Sequence, residues 1–171
     1  MRLGLKIMDE LLEQIEHSIM SGSYLLGLYV SLSLPDICGA LESENGRASG
    51  AKYKSWFDKW VAPKYGESLS GEQCYSYRCG VIHQGRSTHD KLGYSRIIFL
   101  EPNLGTTFHR NIFNDAYNID LKIFCTDIVN SVREWLEVVK EDDNFIENNK
   151  HLMKRYENGI PPYIGGIPVY G

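Results

Sequence analysis

The sequence predicts a mainly α-helical bundle with one small β-hairpin insert. Apolar residues recur every three or four positions in most segments, which is the spacing of helices that bury one face. One internal stretch, residues 94–113, is instead rich in β-branched and aromatic residues around a turn. At 171 residues the chain has the length of one domain with a substantial core.

Composition is ordinary for a soluble globular protein. Hydrophobic residues make up 43% and charged residues 23%, and the net charge is −4. This balance argues against a strongly basic nucleic-acid binder, although a local basic patch fits on an acidic body. The cysteines form no CxxC pair and are expected to be reduced and mostly buried: Cys38, Cys74, Cys79 and Cys125.

No targeting segment is predicted. Acidic residues interrupt the apolar spacing of residues 1–20, which a secretory signal would not tolerate. The apolar run at residues 24–34 is too short and too rich in serine to span a bilayer. We therefore expect a cytoplasmic protein without membrane contact.

The first third of the chain predicts two long helical segments. Residues 1–21 have the spacing of an amphipathic helix, which ends at Gly22. Residues 24–34 are apolar nearly all round and predict a central, buried helix. Pro35 predicts a break there, followed by a short helix through Ile37, Ala40 and Leu41.

Two further helices are predicted before residue 90. Residues 51–61 form one, whose aromatic side chains are expected to pack in the core: Tyr53, Trp56, Phe57 and Trp60. Ser70 begins the next, since Gln73 three residues later completes a capping-box pattern. Gly85 is placed to end it in a left-handed cap.

The second half predicts strands and then helices. Residues 94–100 and 106–113 are expected to pair as a hairpin around a five-residue turn. Asp120 is the predicted N-cap of a strong helix over residues 121–139, and a more polar helix is predicted for residues 143–156. Residues 1–158 thus form the domain, and residues 159–171 form a tail rich in Pro and Gly, either disordered or extended along a surface.

Arg78 and His83 are the candidate functional residues of the Ser70 helix. On an ideal helix their directions differ by about 140°. Tyr75, Cys79 and Ile82 form the stripe between them, and this stripe either packs on the same chain or forms a homodimer interface that composes a shared polar cleft. The two residues are therefore expected to act together only through a dimer or through unwinding near Gly80.

Such a pair suits RNA cleavage by the 2′-hydroxyl of the RNA. Histidine titrates near neutral pH and serves as a general acid or base. Arginine binds phosphate bidentately and offsets its developing charge. The reaction requires no metal and no cofactor.

The stretch YSYRCGVIHQG resembles the Arg-x4-6-His motif of the HEPN superfamily. These are small helical domains common in prokaryotic toxin–antitoxin and defence systems. The resemblance implies a dimer along the motif helix and metal-independent endoribonuclease activity. It makes Arg78 and His83 the catalytic pair, and it implies an antitoxin or another protein as a possible partner.

Cys79 departs from the polar residue that usually follows the motif arginine. An alternative is therefore a catalytically inactive module that binds RNA, nucleotide or a protein partner. A third alternative is a helical scaffold protein with no functional site. Gln84 and Arg86 are candidate RNA contacts or solvated loop residues.

Other clusters are weaker candidates. The spacing of Cys74, Cys79, His83 and His89 does not match a zinc knuckle. A Cys79–His83 nucleophilic pair lacks a visible oxyanion pocket and an orienting partner. His109 and His151 are expected to lie at the surface.

Overall fold

The structure is a computed structural model that describes residues 2–88, 91, 93–102 and 105–171. The protein is 56% helical, which confirms the mainly α class. The helices of the described residues are α1 (Arg2–Met20), α2 (Tyr24–Leu41), α3 (Gly50–Trp60), α4 (Gly71–Gln84), α5 (Leu121–Val139) and α6 (Asp143–Asn149).

Helix α2 occupies the centre of the bundle. It contacts α1, α3, α4, α5 and α6, so that every other helix packs against it. The predicted apolar faces of α3 and α5 are confirmed, because Tyr53, Trp56 and Phe57 are buried on α3 and Trp135 is fully buried on α5. The Trp135 ring meets Trp56 edge-on at 6.2 Å between centroids.

The predicted break at Pro35 is wrong. Helix α2 continues through this residue to Leu41, and Pro35 itself is buried. Packing of Leu34 and Cys38 in the core outweighs the backbone hydrogen bond that proline removes. Residue 36 therefore lies on the central helix beside α4.

Helix α2 is also less buried than its apolar sequence suggested. Leu25 and Leu26 are 67% and 61% exposed at its first turn. The helix is long and apolar enough to cross a membrane by length and composition, and half of it is buried inside the protein.

The predicted hairpin within residues 94–113 is wrong in its pairing. Strands β1 (Arg96–Leu100), β2 (Asn111–Phe113) and β3 (Ala116–Asp120) form one sheet in the order β1-β3-β2. Strand β3 pairs parallel with β1 and antiparallel with β2. The hairpin joins β2 to β3 through Asn114 and Asp115, both at positive φ, as a tight two-residue turn requires.

The end of the chain also differs from expectation. Helix α6 ends at Asn149, and the remainder forms nested antiparallel pairs, β4 (Arg155–Tyr156) with β7 (Val169–Tyr170) and β5 (Gly159–Ile160) with β6 (Ile164–Gly165). Gly159 and Gly166 adopt positive φ and let the chain turn. The tail is therefore folded on itself, neither disordered nor simply extended.

Candidate functional site

Helix α4 is bounded as its sequence predicts. Ser70 Oγ accepts a hydrogen bond from the Gln73 amide at 3.3 Å, and Gln73 Oε1 accepts from the Ser70 amide at 2.8 Å. Gly85 lies in the left-handed region at φ 63°, and the Arg86 amide donates back to the Gly80 carbonyl at 3.0 Å. Both caps are confirmed, so the chain direction around Arg78 and His83 is fixed locally.

Close packing on α3 fixes the start of α4. The Gly71 amide donates to Asp58 Oδ1 at 2.6 Å. A Cβ atom at Gly71 would lie 2.5 Å from the Lys54 carbonyl oxygen, so a side chain there would push the two helices apart. Cys74, Tyr77 and Val81 bury the inner face of α4. The candidate residues Arg78 and His83 therefore project from a firmly held helix.

Arg78 and His83 meet within one chain. Arg78 Nη1 lies 2.6 Å from His83 Nε2, although α4 is helical without interruption from Gly71 to Gln84. The expectation that they cannot meet on one straight helix is wrong, because the angle of about 140° describes only the directions in which the side chains leave the backbone. The long arginine side chain closes the gap, and the contact requires neither a dimer nor unwinding.

Asp36 on α2 completes this cluster. Arg78 Nη2 lies 2.7 Å from Asp36 Oδ2, and the two side chains are only 16% and 15% exposed. Burial raises the pKa of the Asp36 carboxyl, against the opposing influence of the Arg78 guanidinium. Sequence reasoning missed Asp36 because Pro35 suggested a break; the apolar spacing that continues through Ile37, Ala40 and Leu41 was the signal of an unbroken helix.

The contact also defines the form of the imidazole. A guanidinium group carries only donors, so His83 Nε2 must accept. The ring in this arrangement is therefore neutral, with its proton on Nδ1. Arg78 thus bridges a carboxylate and a neutral imidazole whose side chain is exposed to solvent.

Gln84 and Arg86 lie at the same end of α4. Both are exposed, and neither side chain makes a hydrogen bond or an ion pair with the described residues. The structure therefore leaves both available beside His83 without bringing them onto Arg78.

The stripe proposed for dimerisation is partly used inside the chain. The Tyr75 ring packs on Tyr53 at 5.2 Å between centroids, and a Cβ atom at Gly50 would lie 2.7 Å from that ring. Ile82 packs on the core, while Cys79 is half-buried. A hydrogen bond to Cys79 and burial raise the pKa of Tyr75. Dimerisation through this stripe stays a prediction.

Burial disfavours the reactive thiolate form of Cys38, Cys74 and Cys125. Burial raises the pKa of Cys74 to about 12 and that of Cys125 to about 11, and it also raises the pKa of Cys38. Within the described part of the chain, no three His, Cys, Asp or Glu side chains form a group that could hold a metal ion. His89, one of the residues considered for zinc, lies outside the described residues.

His109 is half-buried, so its expected surface position is wrong. Its ring packs edge-on against Tyr65 at 5.6 Å between centroids. Its Nδ1 is buried and has no hydrogen-bond partner among the described residues. Desolvation lowers the pKa of His109, while the carboxylates of Asp127 and Asp120 oppose that shift. His151, by contrast, is exposed as expected.

Comparison with known proteins found no matching protein-family model, curated protein or solved structure. The HEPN resemblance therefore depends on the Arg78–His83 motif and its helical setting. In chemical terms, the cluster offers one guanidinium and one neutral imidazole on the capped helix α4, and one largely buried carboxylate on α2.

Proposed function

We propose that this protein is a HEPN-like, metal-independent RNA endonuclease, with Arg78 and His83 as its catalytic residues. The observation that carries the proposal is the 2.6 Å contact between Arg78 Nη1 and His83 Nε2. On one helix, it joins a phosphate-binding group to an exposed histidine that can transfer a proton.

Substrate binding would release the histidine. The two oxygens of a phosphodiester carry negative charge, so they accept hydrogen bonds from a guanidinium more strongly than a neutral imidazole does. The scissile phosphate would therefore take Nη1 away from His83. Asp36 would keep its hold on Nη2 and act as the positioning residue for Arg78. His83 Nε2 would then be free to accept a proton.

Cleavage would follow in one displacement. His83 Nε2 removes the proton of the 2′-hydroxyl, the 2′-oxygen bonds to phosphorus, and the bond from phosphorus to the 5′-oxygen breaks. The imidazolium returns that proton to the departing 5′-oxygen. The products are a 2′,3′-cyclic phosphate and a 5′-hydroxyl, and no other reactant is consumed. Arg78 offsets the charge that grows on the phosphate oxygens, while Gln84 and Arg86 would contact flanking phosphates.

Assembly belongs to the same proposal. A homodimer through Tyr75, Cys79 and Ile82 would bring two Arg78–His83 pairs toward one cleft. A toxin or defence component of this kind would work in the cytoplasm and be controlled by an antitoxin or another partner protein. Mass measurement at micromolar concentration tests the dimer, and a monomer would contradict it.

One alternative has an observation in its favour. Cys79 stands where a polar residue is usual in the resembled motif, and Arg78 is already held by both Asp36 and His83. These features favour a catalytically inactive module that binds RNA, nucleotide or a protein partner. Such a module would bind RNA through Arg78 without cleaving it.

Incubation of purified protein with mixed RNA in EDTA tests the proposal. Cleavage should persist in EDTA and be lost in Arg78→Ala and His83→Ala. The matched controls are Arg133→Ala, which also removes an arginine paired with a carboxylate, and His17→Ala, which removes an exposed histidine. Both controls should cleave normally.

The product ends separate the mechanisms. A 2′,3′-cyclic phosphate supports attack by the 2′-hydroxyl, whereas a 5′-phosphate end contradicts it. RNA binding without cleavage, weakened in Arg78→Ala but not in Arg133→Ala, would instead support the inactive module.

A further inference from the structure

A cavity of about 560 Å³ opens beside Asp36. It lies between the last turns of α2, the loop of residues 45–48 and the end of α6. Its volume falls within the range of small-molecule binding sites. Neither the motif on α4 nor the proposed cleavage step accounts for it.

Its loop wall is held in place before any ligand binds. Lys52 Nζ donates to Ser43 Oγ at 2.9 Å, to Asn45 Oδ1 at 2.6 Å and to the Arg47 carbonyl at 2.6 Å. From the other side, Asn148 Nδ2 donates to the Ser43 carbonyl at 2.7 Å. A wall fixed by so many bonds loses little conformational entropy when a ligand enters.

The lining has two kinds of surface. Ile37, Ala40, Leu41 and Leu152 provide apolar contact, and the Asp36 carboxylate can accept hydrogen bonds. Arg47 is exposed at the cavity, where its positive charge favours an anionic group, and the exposed His151 ring can donate a hydrogen bond there. A nucleotide has the matching parts, namely an aromatic ring with apolar faces, N–H groups on its edge and a phosphate.

The cavity also adjoins the catalytic pair. Asp36 lines it and at the same time lies 2.7 Å from Arg78. We propose that this cavity binds the base of an RNA nucleotide next to the scissile phosphate, with Asp36 accepting from the base edge and Arg47 attracting the adjoining phosphate. This inference rests on the proposed function, because it assigns the substrate's base to a place beside that phosphate.

Calorimetric titration measures the affinity of the protein for each of the four 5′-mononucleotides. The comparison is with ribose 5-phosphate, which lacks the base. The best nucleotide should bind at least about tenfold more tightly than ribose 5-phosphate, because a hydrogen bond from the base edge to the Asp36 carboxylate adds to the apolar contact of the ring. Ala40→Phe should fill the cavity and remove that preference. Ser55→Phe, which enlarges an exposed residue of α3, should not.

A second variant guards against misfolding of Ala40→Phe. Arg47 is exposed and only its backbone is bonded within the loop, so Arg47→Ala should keep the fold and weaken nucleotide binding. Equal affinity for nucleotides and ribose 5-phosphate would overturn the proposed site. The proposed site would also be overturned if nucleotide binding stayed unchanged in both Arg47→Ala and a correctly folded Ala40→Phe.

The binding assay is separate from cleavage. If the wild-type protein binds nucleotides through the base but never cleaves RNA, the endonuclease proposal and the substrate role of the base are overturned. A nucleotide-binding site would then remain. Cleavage without base-dependent binding would overturn the cavity proposal and leave the endonuclease.

Discussion

His83 lies near the Asp36 carboxylate, to which Arg78 connects it, and His109 lies near the carboxylates of Asp127 and Asp120. The two histidines nevertheless differ in exposure and in the partners of their rings. His83 is exposed, and Arg78 holds its Nε2. His109 is half-buried beside Tyr65, with a buried Nδ1 that has no hydrogen-bond partner among the described residues. The Tyr65 hydroxyl donates to Asp127 rather than to the histidine.

This difference separates a candidate reactive site at His83 from a packing role at His109. A general base must reach its substrate, and it must have a ring nitrogen that a substrate can free. His83 meets both conditions, and a cation for phosphate lies beside it. His109 instead provides ring area to the packing around Tyr65 and Phe124 and is desolvated by it. A histidine near a carboxylate is therefore a poor indicator of function until its exposure and its partners are known.

The largest expected effect distinguishes the two histidines by activity. His83→Gln should lower the rate of RNA cleavage by about 10²–10⁴-fold, the usual contribution of general acid–base catalysis. His109→Gln should leave the cleavage rate within about twofold, because no reacting group can reach its buried Nδ1. Single-turnover cleavage of a labelled RNA measures both rates. Comparable losses in the two variants would remove the distinction.

The next effect concerns the strength of the Arg78–Asp36 pair. Both side chains are largely buried, so a double-mutant cycle of Asp36→Asn and Arg78→Met should give a coupling energy of about 2 kcal/mol in the free energy of unfolding. Urea denaturation of the four proteins measures it.

The Glu16–Arg133 pair provides the matched control. Its contact is bidentate, at 2.7 and 2.8 Å, but its side chains are 42% and 43% exposed. Solvent screening should hold its coupling energy to about 0.2–1 kcal/mol. Equal coupling in the two cycles would show that burial adds nothing at Asp36.

Local sequence signals predicted the motif helix well. Ser70, Gln73 and Gly85 mark its ends through hydrogen bonds that span only a few residues, so the local sequence is enough to identify them. The spacing of apolar residues predicted α1, α3 and α5 for the same reason, since one turn of helix determines which positions face the core.

Long-range contacts were beyond such signals. Asp36 meets Arg78 across 42 positions of sequence only because α2 runs through Pro35, which packing of the whole bundle decides. Strand β3 was missed because Ala116–Asp120 reads as weakly β-prone, yet it lies between β1 and β2 and buries Tyr117 and Ile119. The contact between Arg78 and His83 was misjudged because helix angles were used without the reach of the side chain.

A smaller effect tests how the end of the motif helix is anchored. A Cβ atom at Gly80 would lie 2.9 Å from the Arg86 carbonyl oxygen, where the chain folds back over α4. Gly80→Ala should gain up to about 1 kcal/mol in helix propensity but lose about 1–3 kcal/mol by displacing this segment. We therefore expect a net loss of about 1 kcal/mol in thermal or urea unfolding. Gln84→Ala, at an exposed position of the same helix, should change stability by less than about 0.5 kcal/mol.

The smallest effect is the pH dependence that His109 contributes. Its pKa is lowered in the folded protein from an ordinary value of 6.5 by desolvation and by Arg110, which outweigh Asp127 and Asp120. As the pH falls below neutrality, the unfolded chain protonates this histidine first, so it binds more protons than the folded chain does. The stability that the neutral ring contributes is thus present above the unfolded pKa and is lost as the pH falls through this window.

His109→Gln should therefore flatten the fall in the free energy of unfolding between pH 7 and pH 5, as measured by urea titration at several pH values. His17→Gln removes an exposed histidine and should keep the wild-type slope. If the two variants show the same slope, His109 is not the desolvated group, and the contrast between the half-buried packing histidine and the exposed candidate base His83 loses its physical basis.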